Sequence, residues 1–176
     1  YIKKLSEISD VYYFGDFNGT KKELNKLNIY CKGVYSKRHK KYDFGSWDEL
    51  TKIIGLNKIR EYDELILAND SCFGPLKPLE PIFKTMENKK CDFWGLSCSR
   101  GYHIHIQSYF VVFNKNIIQS ECLFNFLDKV VPEESLQMVC NNYEDRMTYV
   151  LSKEGFEFES YVPYGEFNLH PYFNSW

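Results

Sequence analysis

Short runs rich in β-branched and aromatic residues alternate with amphipathic stretches along the whole chain. The most apolar of these runs, Glu64–Ala68, has the size of one buried strand and leads directly into Asn69-Asp70-Ser71. This alternation predicts an α/β fold with a largely parallel central sheet. A length of 176 residues suits one domain, so we treat residues 1–176 as a single unit.

The other predicted elements follow from hydrophobic period and from capping signals. Further strands are expected over residues 11–14, 29–35, 92–96, 106–113 and 156–162. Capping boxes predict helices that open at Thr20 and at Ser46, each followed three residues later by Glu. Later helices are expected through Phe83 and Met86, over residues 120–130, and from about Tyr143 to Gly155, before an aromatic tail.

The charge balance argues against a nucleic-acid binder. Lys and Arg number 22 against 24 Asp and Glu, a net charge of -2, whereas phosphate binding needs a basic excess. The one basic run, residues 37–41, is typical of a solvated loop. No stretch approaches the ~20 apolar residues of a membrane-spanning helix, and no signal-peptide pattern is present. The sequence opens on Tyr1 rather than Met, which is compatible with a fragment of a longer chain.

The six cysteines contain no C-x-x-C pair, so neither a structural zinc site nor a dense disulfide scaffold is expected. We predict free thiols in a reducing, cytoplasmic compartment. No cysteine lies in a signature of nucleophilic catalysis, and there is no G-x-G-x-x-G or Walker loop. A P-loop ATPase and a classical dinucleotide enzyme are therefore disfavoured.

Asp70 is the first candidate for chemistry, because ligands of open α/β sheets bind beyond the carboxyl ends of strands. One carboxylate together with substrate phosphates is enough to hold Mg²⁺ or Mn²⁺. Asn, Asp and Ser are also common turn formers. From spacing alone, the metal role and the simple turn stay equally open.

The second candidate is Glu144-Asp145, at the predicted start of the last helix. A carboxylate in that position can cap the helix, or it can act as a base toward a hydroxyl group. His103 and His105 alternate along an extended segment and are expected to point the same way. Two histidines can bind a metal only with further ligands, so an ordinary surface or core pair is the favoured interpretation.

Five sequence blocks in order carry a specific resemblance. They are YDFGSW at 42–47, YDELILANDSCFGPL at 62–76, DFWGL at 92–96, HIQSYF at 105–110, and YE at 143–144 followed by GF at 155–156. With these blocks the chain resembles the rhamnan synthesis F family of bacterial polysaccharide glycosyltransferases, from about residue 11 to 162.

The resemblance implies a Rossmann-like GT-A domain that binds a nucleotide-diphosphate sugar. Its first strand would be absent or upstream of Tyr1. By resemblance, Asp70 stands in the position of the metal-binding Asp-x-Asp motif, with Asn69 and Ser71 in place of its neighbours. Asp43 and Gly45 correspond to the loop that contacts the donor.

The resemblance also implies the remaining site residues. Glu144 and Asp145 are similar to the Glu-Asp pair of inverting GT-A enzymes, and Asp145 is slightly favoured as the catalytic base. Acceptor or sugar contacts are expected from four residues: Trp94, His105, Gln107 and Ser108.

The leading hypothesis is an inverting transferase that moves a sugar, with rhamnose as a candidate, onto a growing cell-surface polysaccharide. Its partners would be the nucleotide sugar and a glycan or lipid-linked glycan. The chain would work in the cytoplasm, with peripheral association at the inner face of the plasma membrane through other parts of the protein. The alternative is a catalytically silent glycan-binding module, which the lone Asp70 favours.

Overall fold

A computed structural model describes residues 1–165. The strands are β1 (Val11–Gly15), β2 (Cys31–Ser36), β3 (Glu64–Ala68), β4 (Phe93–Arg100), β5 (Ile104–Ile106), β6 (Phe110–Asn114) and β7 (Phe158–Val162). The α-helices are α1 (Ile2–Leu5), α2 (Lys21–Leu24), α3 (Tyr42–Ile54), α4 (Leu56–Ile59), α5 (Glu80–Met86), α6 (Lys115–Gln119), α7 (Cys122–Leu127), α8 (Leu136–Val139) and α9 (Asp145–Lys153). A π-helical turn, Cys140–Glu144, joins α8 to α9.

The strands form a two-stranded parallel sheet and a five-stranded mixed sheet. β1 and β2 pair in parallel, and a five-stranded sheet follows the order β3-β6-β4-β5, with β7 also paired to β4. In that larger sheet β4 and β7 form the one parallel pair among residues 1–165, whereas β6 runs against both β3 and β4, and β5 runs against β4. The α/β class is confirmed, but the expected largely parallel sheet is wrong.

The long strand expected over residues 106–113 is two strands. β5 ends at Ile106 and pairs with the last residues of β4, 98–100. β6 begins at Phe110 and pairs with the first residues of β4, 93–95. The backbone N–H of Ile106 donates to Thr148 Oγ1 (3.1 Å), and that of Ser108 donates to Glu144 Oε2 (2.9 Å). Side chains of the last helical segment therefore replace the sheet partner and turn the chain between the strands.

Two helix starts also differ from expectation. α3 begins at Tyr42, so Ser46 is buried inside the helix instead of capping it. The helical stretch that was expected to begin near Tyr143 begins at Leu136, so Glu144 and Asp145 lie in its middle and cap nothing. The capping box at Thr20 and the left-handed Gly155 (φ 92°) after α9 are confirmed.

Apolar clusters on both faces of the larger sheet form the core. One packs α3, α7 and α9 against it through Phe44, Phe93, Phe113 and Met147. The other packs α5 against the opposite face. Trp94 lies in this second cluster, edge-on to Phe83 at 5.1 Å between ring centroids.

A cleft of about 1730 Å³ separates the two sheets. Every residue of β1 and of β3 lines it, and each of these strands pairs with one strand only among residues 1–165. Tyr62 spans the gap by donating its hydroxyl hydrogen to Asp10 Oδ2 (2.9 Å). Apolar residues of both strands form much of the cleft wall, and the end where β1 and β3 finish is lined by Asp16, Asp43, Asn69 and Asp70.

Within residues 1–165, no helix combines the length and the apolar character needed to cross a bilayer. The predicted aromatic tail falls mostly on residues 166–176, outside the described residues.

Candidate functional site

Asp43 and Asn69 join two elements at the end of the cleft where β1 and β3 finish. Asn69 follows β3 and donates from Nδ2 to Oδ2 of Asp43, in the first turn of α3, over 2.8 Å. Burial raises the pKa of Asp43, and the hydrogen bond from Asn69 only partly offsets it. The negative charges of Asp70, Glu144 and Asp16 raise this pKa further, so each of these three carboxylates lies within electrostatic reach of Asp43.

The start of α3 owes its position to an unusual backbone. Lys40 (φ 61°) and Tyr42 (φ 55°) both adopt the left-handed conformation, which residues with a Cβ seldom occupy. This conformation turns the chain sharply into the helix and brings Asp43 to the cleft. Strained backbone of this kind concentrates at functional sites.

Asp70 is exposed and lines the cleft beside Asn69. The backbone N–H of Ser71 donates to Asn69 Oδ1 (3.0 Å), so Asn69 forms the local turn and leaves the neighbouring carboxylate free. No donor within the described residues hydrogen-bonds to Asp70. The turn and the metal interpretation are thus compatible, because different side chains serve them.

Glu144 lies in the π-helical turn and faces the link between β5 and β6. Its Oε2 accepts hydrogen bonds from the Ser108 backbone N–H (2.9 Å) and from the Ser108 hydroxyl. Its Oε1 lies 3.7 Å from His105 Nε2. Burial tends to raise the pKa of Glu144, but the contact with His105 and the hydrogen bonds from Ser108 outweigh it and lower that pKa.

Asp145 is more deeply buried than Glu144, and both of its carboxylate oxygens contact other protein groups. Its Oδ2 accepts from the backbone N–H of Tyr102 (2.6 Å) and of His103 (3.3 Å), and its Oδ1 lies 2.9 Å from His103 Nδ1. A Cβ at Gly101 would come within 2.2 Å of Oδ2, so the loop wraps closely around this carboxylate. Only 5% of the Asp145 side chain is exposed, against 22% for Glu144.

A cluster at the end of β1 was missed by the sequence analysis. Asp16 Oδ1 accepts from the backbone N–H groups of His39 (2.7 Å) and Lys40 (3.0 Å), and His39 Nε2 lies 3.1 Å from Ser46 Oγ. The same strand-end argument that selected Asp70 applies to Asp16. His39, in the basic run, has no local signal, because only the fold brings it to Asp16.

Asp16, His39 and Ser46 are not arranged as a catalytic triad. The backbone N–H of Lys41 donates to His39 Nδ1 (3.1 Å), which puts the ring hydrogen on Nε2. Nε2 then donates to the serine and cannot accept its proton, and burial lowers the pKa of His39. The cluster therefore holds the loop before α3 in place.

Three of the predicted site residues, Trp94, Gly45 and Gln107, are not among the residues that line the cleft. Trp94 is only 2% exposed and belongs to the core, so it offers no surface to a sugar. Gly45 lies inside α3 instead of in a loop, and a Cβ there would meet Lys41 Cβ at 2.2 Å. Gln107 accepts a hydrogen bond at Oε1 from the Ser97 hydroxyl (2.7 Å), in a cluster away from Glu144.

The model of one protein family, described as rhamnan synthesis protein F, matches residues 17–174. This match covers most of the chain. The chain belongs to the rhamnan synthesis protein F family. Membership links it to polysaccharide synthesis, as the sequence resemblance implied.

One curated relative is an uncharacterized protein, y4gN, of Sinorhizobium fredii (strain NBRC 101917 / NGR234). It is 23% identical over 147 residues, which cover 80% of this chain and 38% of the relative. The chain thus spans well under half the length of that relative. No solved structure matches the chain.

Proposed function

We propose that this chain is a glycosyltransferase domain that moves a sugar from a nucleotide-diphosphate donor to a hydroxyl of a growing polysaccharide. The observation that carries the proposal is the position of Glu144. This partly exposed carboxylate is held at one oxygen by Ser108 and lies within electrostatic reach of Asp43, which lines the end of the cleft. Rhamnose is the candidate sugar because of the family's name.

The chemistry we propose is a single displacement with inversion. The acceptor oxygen bonds to the anomeric carbon while the bond from that carbon to the diphosphate oxygen breaks, and the diphosphate leaves with the electron pair. The acceptor's proton passes to Glu144 Oε1, since Oε2 already accepts two hydrogen bonds. We prefer Glu144 to Asp145 as the base, because the oxygens of Asp145 are occupied by the loop at residues 101–103.

The donor set is compatible with a hard divalent ion. No group of three or more potential ligand side chains lies together within residues 1–165, but Mg²⁺ and Mn²⁺ commonly need only one or two carboxylates besides the phosphates. Asp70 would hold such an ion, with Asp43 nearby. When bound, the ion would neutralise charge on the leaving diphosphate.

We also propose that a further strand completes the donor side, as expected of a GT-A domain. Two considerations support it: among residues 1–165, β1 and β3 each pair with one strand only and both line one cleft, and a two-stranded sheet such as β1–β2 is marginal alone. Tyr1 also lines the cleft, so a strand fused before it can reach both edges.

An apolar eight-residue extension before Tyr1 should slow amide hydrogen exchange in β1 and β3, whereas a Gly-Ser extension of equal length should not. Equal exchange with both extensions would refute the strand.

A panel of nucleotide sugars tests the function. The first readout is thermal shift with and without Mn²⁺, and the second is transfer to a polysaccharide acceptor by the stabilising donor. Glu144→Gln should abolish most transfer without loss of donor binding. Glu154→Gln, the same change in an exposed residue just after α9, is the matched control.

A catalytically silent glycan-binding module is the second candidate. The single Asp70, where the Asp-x-Asp motif has two carboxylates, favours it. Saturable glycan binding with no stabilisation by any nucleotide sugar would support this candidate and contradict the transferase.

A further inference from the structure

His105 is buried between the two adjacent carboxylates of the last helical stretch. Only 5% of the residue is exposed. Its Nδ1 lies 3.1 Å from the backbone oxygen of His103 and 3.4 Å from Asp145 Oδ2, and its Nε2 lies 3.7 Å from Glu144 Oε1. Each ring nitrogen therefore faces an oxygen that can accept a hydrogen bond.

These contacts determine where the ring hydrogens lie. A backbone oxygen only accepts, so Nδ1 carries a hydrogen toward His103. In a neutral ring, Nε2 would then point a lone pair at the Glu144 carboxylate, which is repulsive. A second hydrogen on Nε2 removes that repulsion and gives a buried cation between two anions. Burial lowers the pKa of His105, but its contacts with Glu144, the His103 carbonyl and Asp145 outweigh this and raise it.

The other ionisable groups around this pair come from three elements. His103, on the loop before β5, contacts Asp145 and stacks on Tyr149 of α9 at 4.3 Å between ring centroids. Asp43 of α3 and the Cys140 thiol lie on the Glu144 side. His105 is thus a basic side chain in contact with Glu144, whereas Asp43 and the Cys140 thiol are acidic groups.

We propose that His105 is a positioning residue for Glu144. As a fixed cation it keeps Glu144 ionised beside Asp43 and holds Oε1 where an acceptor hydroxyl can reach it. The proton taken from the acceptor goes to Glu144 and then to water, and His105 retains both of its ring hydrogens throughout. This inference rests on the transferase function proposed above.

The consequence is specific to pH. Without the cation, Glu144 keeps its burial and its anionic neighbours, so it should take up a proton at a higher pH. A protonated carboxyl cannot accept a second proton from the sugar hydroxyl, so the turnover number should fall at acidic pH and recover as the pH rises. Donor binding should be unaffected, because His105 does not line the cleft.

The experiment compares His105→Gln with His103→Gln in the full chain. Glutamine keeps a polar side chain at either position but removes the charge, and His103 lies on the far side of Asp145. In His105→Gln we expect the acid limb of the kcat–pH profile to move upward by about one pH unit, so that kcat falls about tenfold at pH values below both limbs and recovers at pH 8, with an unchanged KM for the donor. The acid limb of His103→Gln should match that of the parent. An equal loss at all pH values, or an acid limb that does not move, would overturn the proposal.

Two NMR measurements do not require activity. In the parent chain, both ring nitrogens of His105 should stay protonated above the pH of about 6.5 at which an ordinary histidine loses its charge, and the carboxyl carbon of Glu144 should titrate at higher pH in His105→Gln than in the parent. A neutral His105 at pH 7, or an unchanged Glu144 titration, would refute the positioning role whether or not transfer is found. If both titrations behave as expected and no sugar is transferred, the proposed function fails while the electrostatic coupling stands. If His105→Gln does not fold, the parent ring-nitrogen titration alone decides.

Discussion

Asn69 donates a hydrogen bond from Nδ2 to Oδ2 of Asp43 over 2.8 Å, and this bond ties the end of β3 to the start of α3. The two residues are 26 positions apart, in different elements. Their contact brings together two sequence blocks, residues 42–47 and 62–76, that lie apart along the chain. Both blocks reach the end of the cleft where Asp70 and Asp16 also lie.

The Asp43 carboxyl should reduce stability at neutral pH. The pKa of Asp43 is raised in the folded state, so folding disfavours the charged form of this carboxyl. Stability therefore falls as the pH rises from the pKa of Asp43 in the unfolded chain through its higher pKa in the folded chain. Asp43→Asn keeps an acceptor oxygen for Asn69 and removes the charge. We expect this variant to melt a few degrees higher than the parent at pH 7 and at the same temperature near pH 3. Melting curves at both values check this. A lower melting temperature at pH 7 would contradict the electrostatic account.

Substitution of Glu144 should lower the rate of sugar transfer, whereas substitution of Asp145 should lower the stability of the fold. Glu144→Gln should lower sugar transfer by about 10²–10⁴-fold, the usual contribution of a positioned base. Ser108 can still hydrogen-bond to the amide oxygen, so the melting temperature should stay close to that of the parent. Steady-state rates and thermal melts of the same preparation provide the comparison. Transfer at the parent rate would exclude Glu144 as the base.

Asp145→Asn should act mainly on stability. The carboxylate anchors the loop at residues 101–103, and a charged hydrogen bond contributes about 1.5–3 kcal/mol. Burial raises the pKa of Asp145, but the hydrogen bonds from His103 and Tyr102 outweigh this and lower that pKa. The contribution of Asp145 to stability is therefore present above its pKa in the unfolded chain and is lost as the pH falls through its lower pKa in the folded chain. Denaturant unfolding should therefore show a deficit at pH 7 that shrinks toward pH 2. A large rate loss with unchanged stability would instead return the base to Asp145.

Donor binding should depend on a divalent ion through Asp70. Calorimetry with the donor should give tighter binding in Mn²⁺ than in EDTA for the parent, since one carboxylate and the diphosphate would share the ion. In Asp70→Asn the two conditions should give the same affinity. Asp63→Asn, a change in an exposed residue before β3, is a control that should keep the ion dependence. Equal affinity in EDTA and Mn²⁺ for the parent would exclude the metal role but not the transferase function.

The cysteines should react as six free thiols with different rates. All six are unpaired, and Cys72 is the exposed one. Burial raises the pKa of Cys91 to about 11, so little of its reactive thiolate is present at pH 8. A thiol reagent should therefore modify Cys72 first in the native chain and Cys91 much later. Peptide mapping during the reaction checks this order, and fewer than six thiols in the denatured, unreduced chain would contradict the free state.

Local sequence determined the elements whose signals are local. The apolar run before Asn69 forms β3, the Thr20 capping box opens α2, and Gly155 ends the last helix, because each depends on neighbours a few residues away. The family and its polysaccharide context were also within reach, since the YDFGSW and HIQSYF blocks stand in the sequence itself. The same strand-end logic that indicated Asp70 would have indicated Asp16.

Tertiary structure decided the rest, because those features depend on partners far along the chain. Strand direction depends on which strands meet, and a period of two is the same for parallel and antiparallel neighbours, so the reversal of β6 has no sequence signal. Ser46 followed by Glu49 satisfies a capping pattern, yet the left-handed turn at Lys40 and Tyr42 starts the helix earlier.

The adjacent Glu144 and Asp145 are indistinguishable by pattern. Only the packed loop at residues 101–103 occupies one of them and leaves the other partly free, beside His105 and Ser108. A carboxylate's role depends on the donors that surround it, and those donors are contributed here by residues some 40 positions away, brought together by the fold.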